Sequence, residues 1–213
     1  MDSKKKKDGE TFWDTGNKGA TTIADSNSHP TDDTWNNKGQ AACLESKYLV
    51  LKFDAGNLFS GTYVKTDGTN GILDFGQPFS AFPTKLRFYY KYRGSTINRI
   101  GDEDLNHLKG TPDIGTVYIL LTDWEKPFTI KTRKSERSLL DIDNDEHIIA
   151  YSAMETSETT TAYKEYILPI NYRITNRRPK YIVVVASSSK YGDYFVGGDS
   201  SCMWIDDLEL LYE

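Results

Sequence analysis

Apolar positions along this chain recur in short runs, not at helical spacing. From Lys85 to Tyr92 the chain alternates, with Leu86, Phe88 and Tyr90 opposite Arg87, Tyr89 and Lys91, which predicts a strand with one buried face. TVYILLTDW (Thr116–Trp124) is nearly continuously apolar and reads as an internal strand, and Ile182–Val185 is a β-branched run of the same kind. Gln40–Phe53 reads as two short strands or one bent one. PFTIKTRK (Pro127–Lys134), YKEYILPINY (Tyr163–Tyr172, with Pro169 demoting one end) and Met203–Tyr212 supply further strands.

The punctuation between these runs is that of a β protein. Gly56 and Gly61 around Leu58 and Phe59 predict tight turns, and Pro78 and Pro83 bar a central strand before Thr84. Thr11–Asn37 is loop-like, Thr96–Pro112 is a charged insertion, and residues 134–165 are polar, with Ser152–Tyr163 read as a short helical turn or a loop. No segment has helical periodicity over more than two turns. About eight to ten short strands with turn signals between them predict an all-β fold, a β-sandwich of jelly-roll character.

The chain has 213 residues, enough for one domain with its own core. The first ten residues, MDSKKKKDGE, carry a basic run with no apolar stretch behind it, so they read as a disordered tail or the cut edge of a longer precursor and not as a signal peptide. The β-sandwich is expected over 11–213. No apolar run reaches the ~18 residues of a membrane span, so no membrane insertion of this domain is expected. The net charge of −5, without a basic stripe in the sequence, argues against nucleic acid and anionic membrane as partners and suits a neutral ligand. A monomer is expected. Cys43 and Cys202 are too few for a disulfide framework or a metal site; they pair if the first and last strands are neighbours and are otherwise buried free thiols.

With 14 Tyr, 9 Phe and 4 Trp, the chain is rich in rings that offer apolar area with a polar tip. Sugars present flat C–H faces and hydroxyls, so a sugar site needs an accessible ring and nearby polar groups. Candidate platforms are Trp13, Trp35, Trp124, Tyr191 and Tyr194, the last two flanking Gly192-Asp193 in a glycine-rich loop before the final strand. Asp193 and Arg87 are the candidate hydrogen-bonding partners. Each ring is alternatively a packing residue.

Four segments, in this order, resemble the putative carbohydrate metabolism domain family of bacterial secreted and surface proteins. They are AGNLFSG (Ala55–Gly61), FGQPFSAFP (Phe75–Pro83) with LRFYYKY (Leu86–Tyr92), VYILLTD (Val117–Asp123), and SSSKYGDYFVGGDSS (Ser187–Ser201) running into WIDDLELLY (Trp204–Tyr212). The resemblance implies a galactose-binding-like jelly roll similar to carbohydrate-binding modules, and a polysaccharide or glycan as partner. It also implies a place in a secreted or surface-anchored bacterial protein. Members are often labelled glycoside hydrolases, and no catalytic residues carry over.

Related jelly rolls often hold a structural calcium between an early loop and the last strand. Asp206 and Asp207 are the metal candidates here, with Asp25, Asp32 and Asp33 as an early-loop set. Adjacent acids on a regular strand face opposite sides, so one points inward unless a bulge intervenes, and an inward acid needs a metal, an arginine or backbone N–H groups. The Asp141–Glu146 run lacks the glycine of an EF-hand loop.

Three functions stay open: a non-catalytic carbohydrate-binding module, a glycoside hydrolase and a structural or adhesion module. Hydrolysis needs two carboxylates at suitable spacing, one with a raised pKa; Glu103, Asp123, Asp193 and Asp206 are candidates, and nothing in the sequence selects a pair. His29, His107 and His147 lack zinc spacing, and no nucleophile elbow or phosphate-binding loop occurs.

Overall fold

The computed structural model describes residues 11–20, 26–49, 52–68 and 70–212. The strands, in chain order, are β1 (Trp13–Asp14), β2 (Ser28–Thr31), β3 (Ala41–Glu45), β4 (Lys47–Leu49), β5 (Lys52–Asp54), β6 (Asn57–Asp67), β7 (Asn70–Phe75), β8 (Gln77–Pro78), β9 (Lys85–Arg93), β10 (Arg99–Ile100), β11 (Gly115–Thr122), β12 (Phe128–Lys131), β13 (Ile148–Thr156), β14 (Lys164–Pro169), β15 (Tyr181–Ser187), β16 (Val196–Gly197) and β17 (Cys202–Leu211). Helix is confined to α1 (Asn17–Ala20) and three short 3-10 turns among the described residues. The disordered tail expected over residues 1–10 lies outside the described residues.

The protein is an all-β sandwich. Strands β14-β9-β17-β3-β2 form a five-stranded sheet, and β12-β7-β6-β15-β11-β13, extended by β1 on β6 and β8 on β15, form an eight-stranded one. The alternation of β9 is realised as read. Leu86, Phe88, Tyr90 and Tyr92 are buried in the core between the sheets, and Arg87, Tyr89 and Lys91 face outward. Fully burying each such apolar side chain contributes roughly 1.5–3 kcal/mol.

The eight-stranded sheet is covered on both faces, which is why β11 and β15 are almost continuously apolar. Val117, Ile119, Leu121, Ile182 and Val184 point into the sandwich core. Leu120, Val183 and Val185 point to the opposite face, where a second cluster with Phe59, Phe75, Trp124 and Ile130 has formed. Tyr118, the one polar ring in the β11 run, lies on that second face and is only partly buried.

Several expectations are corrected. Gln40–Phe53 yields three short strands, β3 to β5. The segment read as a turn or loop from Ser152 begins inside β13, a nine-residue strand pairing with β11 from Gly115↔Thr156 to Thr122↔Ile148. Small and polar residues at buried positions, Ala150 and Ser152, hide its two-residue period, and pairing with β11 supplies the order. Gly56 and Gly61 are not turn residues. Gly61 lies within β6, and a Cβ at either position would come closer than 3.0 Å to backbone of the neighbouring strand, at Leu44 and Glu45 for Gly56 and at Asp74 for Gly61. Thr11–Asn37 is not all loop, since it holds β1, α1 and β2.

Candidate functional site

The second face of the eight-stranded sheet is the floor of a narrow cleft. Phe59, Leu73, Phe75 and Val185 make the floor. An adjoining lobe runs over Ile130, Leu140 and Tyr151, and Tyr118, Lys190 and Asp193 line both.

The loop after β15 supplies the wall. Lys190 N donates to Ile114 O at 2.7 Å, anchoring the start of the loop to the approach to β11, and Gly192–Tyr194 makes one 3-10 turn. Phe195 then takes a left-handed conformation, φ 56°, from which β16 returns to pair with β10. Gly192 is required for close approach: a Cβ there would lie 2.5 Å from that of Ala55. This contact seats Asp193 beside the end of β5, which carries Asp54.

Asp54 and Asp193 line the same lobe. Burial pushes the Asp54 carboxyl up to about 6; the Lys52 charge and a 3.0 Å hydrogen bond from Asn27 Nδ2 oppose this, and the charge of Asp193 adds to it. Asp193 is also lifted to about 6 by the protein around it, with Arg137 opposing. Its carboxylate is nevertheless open to the solvent of the cleft. Burial raises the Tyr118 hydroxyl well above its ordinary range, with Asp193 and Tyr151 adding, so Tyr118 is a neutral hydrogen-bonding group there. Lys190 Nζ stands 5.5 Å from the Tyr191 ring centroid and pairs with Glu155 at 2.8 Å, and Arg137 lies 4.6 Å from the Tyr194 ring centroid.

Of the candidates read from sequence, Tyr191, Asp193 and Tyr194 line the cleft. The others do not. Trp124 is 7% exposed and packs in the second cluster, its Nε1 donating to Asp145 Oδ2 at 2.9 Å, so it closes the core below the cleft and offers no ring face. Trp13 is in β1, edge-on to Phe12 at 4.9 Å and packed against the sandwich core. Trp35 is 39% exposed but on the outer face of the five-stranded sheet, stacked on Tyr89 at 3.8 Å with planes 2° apart. Arg87 shares that outer face and pairs with Glu209 and Glu165, away from the cleft that Asp193 lines. The rings therefore do not form one platform.

The acids of the last strand are separated by a bulge between Asp206 and Glu209, with Asp207 at φ 45°. Asp206 is buried and accepts from the backbone N–H groups of Trp35 at 3.3 Å and Asp207 at 2.9 Å; Asp207 Oδ2 accepts from Trp35 Nε1 at 2.6 Å. Asp33 pairs with Lys91 and Asp32 accepts from Gln40, while Asp25 lies outside the described residues. These residues do not fit the expected calcium: the oxygens are turned to protein donors, and among the described residues no three His, Cys, Asp or Glu are grouped to hold a metal. Glu103, Asp123, Asp193 and Asp206 do not converge either, since Asp123 is held by Arg177 and His147 and Asp206 is on the other sheet.

Sequence reasoning missed Asp54, Tyr118 and Tyr151. The available signals were an acid directly before AGNLFSG and a lone hydroxyl ring in an aliphatic run.

Residues 1–211 match the family model described as the putative carbohydrate metabolism domain. The chain belongs to this family. A crystal structure described as a putative glycoside hydrolase from Bacteroides thetaiotaomicron is similar to this family member with a TM-score of 0.72 at 20% identity, covering 100% of this chain and 69% of that one. A second, from Bacteroides vulgatus with the same description, has a TM-score of 0.72 at 21% identity and covers 96% of this chain and 87% of its own. At such identities the likeness establishes the shared sandwich. No curated protein matches this carbohydrate metabolism domain in sequence. None of its described helices is long and apolar enough to cross a membrane.

Proposed function

We propose that this domain binds a glycan in the cleft on the second face of the eight-stranded sheet, as a carbohydrate-binding module of a secreted or surface-anchored protein. The observation that carries it is the convergence of Tyr118, Tyr191, Tyr194, Asp54 and Asp193 on that one face. Rings there take the apolar side of a sugar, and the carboxylates and Tyr118 take its hydroxyls. Burying a sugar on one ring contributes on the order of 2 kcal/mol, so single-site affinity is weak once association entropy is subtracted.

The test is a glycan array followed by affinity electrophoresis, with and without a calcium chelator. Retention is expected to fall on Tyr191→Ala and on Tyr194→Ala. Loss on Trp35→Ala with both tyrosine variants unaffected would move the site to the Trp35–Tyr89 stack and overturn the cleft.

Glycoside hydrolysis is a second reading, favoured by one observation: two carboxylates in one lobe, both at about 6, near where a carboxylic acid donates a proton at neutral pH. It predicts new reducing ends from the bound polysaccharide, abolished by Asp54→Asn or Asp193→Asn with binding retained. Binding without product formation leaves the domain a binding module.

A further inference from the structure

We infer that the glycan is anionic, carrying carboxylate or sulfate groups, and that it extends from the cleft into a basic groove behind Phe195. This rests on the glycan-binding reading of the cleft and specifies its substrate class.

The groove adjoins the cleft, and Lys52 and Phe195 line both. Six cations face into it: Lys52, Arg99, Lys109, Arg133, Lys134 and Arg137. They come from β5, β10, the turn after Leu108 and the segment after β12, so no stripe of basic residues exists in the sequence. None of the residues lining the groove is Asp or Glu. In a chain of net charge −5 the lining itself thus carries one sign of charge, and a cleft so lined attracts counter-ions.

The acids that hold these cations stand behind or beside them. Asp102 is buried and accepts from Lys134 at 2.8 Å and from Arg137; Lys134 also pairs with the exposed Asp104 at 3.0 Å, and Arg133 with Asp67 at 3.8 Å. Asp199 accepts from Arg99 Nε at 2.6 Å, and Glu136 from Arg133 Nη1 at 2.8 Å. Arg99 and Arg137 are thereby each held by one carboxylate, while Arg133 is held at both terminal nitrogens, by Glu136 and by the Asp67 carbonyl; a guanidinium so oriented presents its charge to a carboxylate or sulfate in the groove. Lys109 is exposed. Ring faces continue through the groove, since Arg99 lies 4.1 Å from the Tyr48 centroid and Lys52 Nζ lies 5.0 Å from that of Phe195. Alternating rings and cations suit a chain of sugars bearing acidic groups, and the neutral ligand expected from overall charge does not account for them.

Calorimetric titration of the whole chain with an oligogalacturonate, a chondroitin sulfate oligosaccharide, neutral oligosaccharides and a single-stranded oligonucleotide tests this. Expected is binding of at least one anionic oligosaccharide in preference to the neutral ones. That binding should weaken as salt rises from about 0.05 to about 0.3 M and weaken roughly fivefold or more on Lys109→Glu, with the fold checked by circular dichroism. Binding of a neutral oligosaccharide alone, lost on Tyr191→Ala, overturns the inference and leaves the cleft proposal standing. Tighter binding of the oligonucleotide than of any glycan overturns the inference and reassigns the groove. Binding of no oligosaccharide sinks both.

Discussion

Asp193 lines the same lobe as Asp54, and its charge adds to the burial that lifts the Asp54 carboxyl to about 6. Two acids on different segments, 139 positions apart in sequence by their numbers, are thus electrostatically joined on one surface. The joint depends on Gly192, whose missing Cβ lets the loop rest on Ala55.

This relationship sets a pH dependence. An acid whose folded pKa is raised binds its proton more tightly in the folded state, so its stabilising contribution is fully present below the ordinary value of 3.8 and is lost as pH rises through about 6. Asp54→Asn removes the charge that burial disfavours. Urea midpoints measured from pH 4 to pH 7 should therefore show the variant gaining on the wild type as pH rises. A difference that stays constant with pH contradicts the assignment.

Asp102 behaves with the opposite sign. Hydrogen bonds from Lys134 and Arg137 hold its carboxyl well below the ordinary range, so its contribution is present above 3.8 and fades as pH falls. Asp102→Asn should cost about 2 kcal/mol at pH 7, the size of a hydrogen bond to a charged group. Chemical denaturation at neutral and acid pH checks both the loss and its shrinkage at low pH. The same variant releases Arg137 from its carboxylate and leaves Lys134 paired with Asp104.

Gly61→Ala and Gly56→Ala should each destabilise the fold by about 1–3 kcal/mol, because the added methyl meets backbone that cannot rotate away. Thermal unfolding measures this. Wild-type melting of either variant would show that the strands at these positions are further apart than described.

Cys43 and Cys202 sit on adjacent strands, β3 and β17, with their sulfurs 3.4 Å apart as free thiols. Both are buried, so a thiol reagent should find two reactive groups per chain after denaturation and react slowly before it. Rapid reaction of the folded protein would place the pair at the surface.

Much of the fold was legible in local pattern. The two-residue period of β9, the aliphatic run of β11 and the β-branched run of β15 each state how many faces are buried, and burial is what strands respond to. Where the period is carried by small or polar residues, as in β13, the sequence is silent and partner strands decide. Of the site, the ring-bearing loop Tyr191–Tyr194 was legible because glycines beside aromatics have no core to fill. Trp35 in a turn, Trp124 just after β11 and Arg87 on the outward side of β9 could not be placed relative to that loop, since local pattern does not mark which sheet a segment joins.

By itself, then, the sequence determined an all-β chain, a sandwich of short strands and an aromatic loop before the last strand. Tertiary structure alone decided that Asp206 is satisfied by backbone N–H groups, that Asp54 faces Asp193, and that six dispersed cations line one groove in an acidic protein. The reason is physical. Strand formation follows from neighbours along the chain, whereas the free energy of a charge depends on the groups that packing brings within a few ångströms, and those come from anywhere in the sequence.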